Sequence, residues 1–384
     1  MSAVAPGHTR YTSIDSLRAY AMTLVIAQHC DLLPIGWLGV WIFFVISGFV
    51  VTSSILDAKP TTLTTAERLR QFYFRRIARI VPLYACYVAL FVVFCLAFGY
   101  RLIPTQLLSF ATFTYNFYPL HGDTVFPISH LWTISFEMQF YLVVGAALIL
   151  LRPQHIKLLM LALLVLPAVL RVLYSFKAQA AGITPADIQS WEYHVSFFHF
   201  DAFAAGCLLS LYRGSIERQI ANSILFLGIS SIIAFVGLYA IINHMTRGQA
   251  ELSAFKEILS GSSFGELREA LVYVPVLLLS IGCVGSAIVD KSLIQIFLNW
   301  KWVSYVGRCS YSGYVIHLAV IWYLRLGLDT YLGLSDVGER STIIIVERLG
   351  LFAIATALTV ALSIPMFEWV EKPLARQTRR LLRF

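Results

Sequence analysis

The chain has 384 residues, of which 58% are hydrophobic and only 13% charged, with a formal net charge of +8. Soluble proteins carry about 25% charged residues, so a water-soluble globule is excluded and a single multi-span membrane domain fits this length. The basic residues are scattered over short linkers and gathered on no soluble face, which argues against a nucleic-acid partner.

Residues 1–13 are polar and do not form a signal peptide. Ten apolar stretches follow, at 14–33, 37–56, 80–98, 130–151, 156–174, 194–212, 220–243, 268–289, 303–326 and 342–369. Each is near the ~20 residues that cross a bilayer. They predict an all-α, polytopic integral membrane protein of about ten transmembrane helices, with no second soluble domain. Segment 104–118 is apolar but short, and reads as an interfacial or re-entrant helix. The linker between the second and third stretches carries Lys59, Arg68, Arg70, Arg75, Arg76 and Arg79, and the tail carries Lys372, Arg376, Arg379, Arg380 and Arg383. By the positive-inside rule both the N- and C-termini are cytoplasmic, in a multi-pass protein of the inner or plasma membrane surrounded by lipid. The six cysteines fall in apolar segments without metal-type pairs, so they read as buried thiols, and no metal is expected.

The first stretch holds two ionisable residues, Arg18 and His29, with ten residues between them. At about 100° and about 1.5 Å per residue they share a helix face and lie ~16 Å apart, about half the hydrocarbon thickness. Ionisable residues inside a membrane point to function. The plainer reading is a snorkelling arginine and a packed histidine. In the fourth stretch His130, Glu137 and Tyr141 share a face by spacings of seven and four. Glu137 falls about 10 Å below the outer end, a depth like that of His29, so the two predict an imidazole–carboxylate pair able to act as general base. A structural hydrogen bond between two helices is the alternative.

In FYFRRIARIVPLY (72–84), Arg76 and Arg79 lie one helical turn apart with Arg75 beside them. The cluster suits phosphate, and equally an anchor against anionic lipid. The ninth stretch aligns Ser310, Tyr314 and His317 as candidate cavity-lining residues, though His317 also fits a core histidine. Asp201 reads as a helix–helix hydrogen-bond partner, for which an arginine from a neighbouring helix is one option. Glu368 and Glu371 close the last stretch, where they can reach the arginine cluster. In GVWIFFVISGF (39–49), Gly39, Ser47 and Gly48 read as close packing.

Taken together, these segments resemble the acyltransferase-three family of integral membrane O-acyltransferases. The Arg18–His29 pair, GVWIFFVISGF, FYFRRIARIVPLY, HLWTISFEMQFYL, FDAFAAGCLL, YVGRCSYSGYVIH and FEWVEKP are similar to its motifs, in the same order. The resemblance implies transfer of an acyl group, usually acetyl, from cytoplasmic acyl-coenzyme A to a carbohydrate hydroxyl of a surface or exported glycan. It carries Arg18 and His29 over as essential, Glu137 as their partner, and Arg76 and Arg79, with Arg75, as donor-binding. Trp41 stands where many members have an acidic residue, and His199 where arginine is frequent. Direct transfer and an acyl-histidine intermediate both remain open. So does a small secreted lipid or macrolide-type acceptor. A secondary transporter or channel is the rival class, but the inverted repeats it calls for are not seen.

Overall fold

A long apolar segment in lipid must satisfy its own backbone, and every regular element among the described residues is helical. The computed structural model describes residues 11–58, 63–120, 127–248, 258–259, 265–332 and 341–381. Helices α1 (Thr12–His29), α2 (Leu38–Leu56) and α3 (Thr65–Phe98) come first, then α4 (Pro104–Ala111). A 3₁₀ turn at Ser129–Leu131 runs into α5 (Trp132–Leu150), followed by α6 (Pro153–Ala180). Helices α7 (Pro185–His194) and α8 (Phe200–Leu211) meet at a 74° bend. Then come α9 (Arg218–Arg247), α10 (Arg268–Leu271), α11 (Tyr273–Ile288), α12 (Gln295–Leu298) and α13 (Lys301–Arg308). Helix α14 (Ser310–Leu332), α15 (Ser341–Pro365), a π-helical turn at Met366–Glu371 and α16 (Lys372–Leu381) complete the chain.

Helix lies over all ten predicted stretches, yet among the described residues only seven segments are long and apolar enough to cross a membrane, or eight if the bent α7–α8 pair is one span. Helices α1 and α14 are not among them. Asp15, Arg18, Gln28 and His29 make α1 more polar than these, and His317 and Arg325 do the same to α14. Helix α3 begins well before the predicted residue 80. A capping box starts it: the Glu67 N–H donates to the Thr64 hydroxyl (3.3 Å) and the Thr64 N–H to the Glu67 carboxylate (2.7 Å). Its 34 residues reach ~51 Å against a hydrocarbon core of ~30 Å, so the arginine-rich start extends past the apolar layer. The short segment after it is helical at α4, as expected.

Helix α2 is the hub. Its apolar window is 72% buried, against 22% for α6 and for α9, whose outer faces show leucine and isoleucine. Apolar surface of that extent belongs in lipid. Glycine lets α2 touch α8: a Cβ at Gly48 would lie 2.0 Å from the Phe203 carbonyl oxygen, and one at Gly206 equally close to that of Val45. We expect Gly48→Ala to force the helices apart at a cost of about 1–3 kcal/mol, read as a lowered Tm in nanodiscs. An unchanged Tm would show that the crossing can relax.

None of the six cysteines is paired. Cys30, Cys95, Cys207 and Cys309 are buried as expected, but Cys283 is half-buried and Cys86 exposed on the apolar outer face of α3. Residue-level hydropathy does not say which side of a span meets lipid.

Candidate active site

Two adjoining cavities lie among α1, α2, α5 and α14. The first, of about 90 Å³, is lined by Arg18, Ser47, Arg76, Arg79, Glu137, Tyr141, Ser310, Tyr311 and Tyr314 with apolar neighbours. Arg18, in the second turn of α1, is held by Asp15 at 3.1 Å. Arg76 and Arg79 project from one face of α3, and neither forms an ion pair among the described residues. The Arg76 guanidinium lies 5.8 Å from the centres of the Phe72 and Tyr141 rings, and its Nε is buried without a hydrogen-bond partner. Arg18 has Asp15 as its partner, so the two guanidinium groups of Arg76 and Arg79 face the one carboxylate that lines the cavity, a balance that favours an anionic ligand. Arg75, predicted with them as donor-binding, is exposed and lines neither cavity.

The carboxylate is Glu137. Ser47 Oγ donates to its Oε1 at 2.5 Å, and the Tyr141 hydroxyl, one turn along α5, donates to the same oxygen. Ser47 is thus a polar member of the site, whereas the sequence suggested only small-residue packing for it. Flanked by Ile46 and Gly48, it gives no outward signal of this role.

The second cavity is wider, about 330 Å³, and its walls include Gln28, His29, Trp37, Ser129, His130, Trp132, Ser190, Tyr193 and His194. Val40 and Tyr314 line both cavities and form their common wall. The Tyr314 hydroxyl is 2.7 Å from Thr133 Oγ1. His29 stands on the last turn of α1, where Arg325 of α14 donates to its backbone carbonyl (2.8 Å) and to Asp31 Oδ2 (2.7 Å). Asp31 itself takes a left-handed backbone, φ 55°, that ends the helix. This latch uses main chain and leaves the His29 ring facing the cavity.

Three imidazoles meet there. The His29 and His317 ring centres are 5.3 Å apart, and those of His130 and His317 4.9 Å. His130 Nε2–H donates to the Val315 carbonyl at 3.0 Å, and His317 Nδ1–H to that of Tyr314 at 2.6 Å.

The expected pairing of His29 with Glu137 is not formed. They line different cavities, and Glu137 bonds Ser47 and Tyr141 instead. Helical rise predicts depth along an axis but not lateral distance between two helices. The residue that this part of the chain brings near His29 is His130, seven positions earlier in the 3₁₀ turn. His317 lines neither cavity and sits directly behind the second.

The acidic residues predicted on the sixth and last stretches find partners outside the two cavities. Asp201 has its arginine partner, Arg171 of α6, at 2.9 Å, both side chains being fully buried. Glu368 pairs with Lys372 at 2.6 Å and Glu371 accepts from Ser312 at 2.6 Å, so neither bonds the arginine cluster directly. Trp41 and His199 touch each other edge to face at 5.0 Å and lie outside both cavities. Among the described residues no group of His, Cys, Asp or Glu is arranged to hold a metal ion.

The chain is 23% identical over 335 residues to O-acetyltransferase OatA of Staphylococcus aureus, covering 81% of this chain and 51% of that protein. It is 30% identical over 159 residues to peptidoglycan O-acetyltransferase OatA of Listeria monocytogenes, covering 37% of this chain and 25% of that protein. The chain therefore spans about half the length of the staphylococcal relative. No solved structure matches. A family profile described as an acyltransferase domain matches residues 11–368, and the chain belongs to the acyltransferase-three family.

Proposed function

We propose that the chain is a membrane O-acyltransferase that takes an acyl group, most simply acetyl, from acyl-coenzyme A and gives it to a carbohydrate hydroxyl. Both termini face the cytoplasm in this reading, so that the donor enters at the arginine cavity. The observation that carries it is the junction at Tyr314: a cationic cavity on one side, an aromatic and imidazole-lined cavity on the other. Phosphates of the donor dock on Arg76 and Arg79 through charge-assisted bonds. The pantetheine arm passes Arg18 and brings the thioester to the wall formed by Tyr314 and Val40.

The acceptor occupies the second cavity, where Trp37, Trp132 and Tyr193 offer flat apolar faces to a sugar ring and Gln28 and Ser190 offer polar atoms. A ring nitrogen of His29 takes the proton from the acceptor hydroxyl as its oxygen attacks the thioester carbon. The carbon–sulfur bond breaks, and His29 returns the proton to the departing thiolate. Tyr314, in the common wall, is the candidate for steadying the oxyanion: its hydroxyl would turn from the neutral Thr133 Oγ1, whereas that of Tyr141 donates to the carboxylate of Glu137. Glu137 keeps Tyr141 and Ser47 in place beneath the donor arm and takes no proton from the acceptor.

Purified protein in proteoliposomes is expected to release coenzyme A thiol from acetyl-coenzyme A only when a glycan acceptor is present. Mass analysis of surface glycans from cells with and without the protein should show a base-labile acyl ester. Unchanged glycans together with no acceptor-dependent thiol release would overturn the reading.

A further inference from the structure

A neutral imidazole that accepts a proton works best when its other nitrogen, an N–H, is held by an acceptor. With Glu137 committed elsewhere, the structure offers His29 no carboxylate inside the cavity. Asp31, two positions further along the chain, carries a carboxylate, and it is paired with Arg325 at an exposed rim.

His317 is fully buried. Its Nδ1 lies 2.6 Å from the Tyr314 carbonyl oxygen, which can only accept, so Nδ1 carries the hydrogen. Nε2 is then a bare lone pair, and it has no hydrogen-bond partner. A buried polar atom left unsatisfied is costly, and an aromatic ring without nitrogen would pack here among His130 and Tyr314 without that penalty. His130 is the nearer imidazole (4.9 Å), but its Nε2–H is on the Val315 carbonyl and its bare Nδ1 cannot donate, so the neighbour able to supply an N–H is His29, with ring centres 5.3 Å apart. Two imidazoles in a collinear N–H···N bond have centres ~5.2 Å apart, from an N···N distance of ~2.9 Å and ~1.15 Å from each nitrogen to its ring centre. The observed centre-to-centre distance matches that spacing, and the rings stand at 45°, so the bond asks for a turn of the half-buried His29 ring about Cβ–Cγ.

We infer that His317 is the positioning residue of His29: its Nε2 accepts the second N–H of the His29 ring, fixing the tautomer whose free nitrogen faces the acceptor hydroxyl. The His317 proton stays on Nδ1, bound to the Tyr314 carbonyl. When His29 takes the hydroxyl proton, the charge of the imidazolium is shared across the N–H···N bond until the thiolate recovers that proton. This role rests on the acyl transfer proposed above.

The test compares His317→Phe, which keeps ring shape and loses both nitrogens, with His317→Gln, whose side-chain oxygen can stand near the place of Nε2. With wild type active, His317→Phe is expected to lower kcat on the order of 10- to 100-fold, part of the ~10²–10⁴ of a general base. The KM for acyl-coenzyme A should stay unchanged, and His317→Gln should recover most of kcat. Wild-type kcat in His317→Phe, or equal loss in both variants with KM rising alongside, overturns the inference. Should the phenylalanine variant not fold, nitrogen-15 histidine spectra of the otherwise native protein decide. The bare nitrogen of His317 is expected to shift when His29→Ala is introduced, and an unmoved resonance overturns the role. Absence of acyl transfer in the wild type would instead remove the reaction itself, a separate failure.

Discussion

Replacing His29 by alanine is expected to lower acyl transfer by about 10²–10⁴-fold while the protein still inserts and folds. The two effects separate because of how α1 ends. Arg325 holds the His29 backbone carbonyl, which alanine keeps, whereas the ring faces the 330 Å³ cavity. Transfer assayed in membranes, beside the Tm of the purified variant, reads both. Full transfer by His29→Ala would reject its place as the base.

The second large effect is expected at the donor side. Arg76→Ala should raise the KM for acyl-coenzyme A about 10- to 100-fold, since one charge-assisted hydrogen bond contributes about 1.5–3 kcal/mol and a factor of ten is about 1.4 kcal/mol. Arg79→Ala should act in the same direction with a smaller effect, because Arg79 is exposed at the mouth and better screened. Arg75→Ala serves as the control and should leave KM unchanged. Arg76→Lys keeps a charge but loses the planar contact with Phe72 and Tyr141, so it should recover only part of the affinity. A donor KM indifferent to Arg76→Ala would make the cluster a topological anchor.

Periodicity made part of this site legible. Arg18 and His29 do reach the protein interior from α1, and Glu137 and Tyr141 meet one turn apart as their spacing predicts. Whether residues on different helices meet depends on packing that one-dimensional patterns do not contain. For that reason Glu137 was assigned to His29 but bonds Ser47, a residue of α2 whose neighbours look like packing. His317 carries the same lesson, since two readings of one spacing differ only in where a backbone carbonyl falls. Trp41 and His199, each a departure from the family pattern in sequence, are one contact in space. An edge-to-face aromatic pair in that buried position carries none of the desolvation that a pair of opposite charges would require. Polarity also hid the membrane boundary: the residues that build the site keep α1 and α14 below the apolarity of an ordinary span.

The common wall at Tyr314 ties two properties of the catalyst to one side chain. Any change that enlarges the gap beside Val40 to admit bulkier thioesters also opens a route for water from the glycan side. Water reaching the thioester with a base at hand gives hydrolysis, so broader donor tolerance and futile donor loss should rise together.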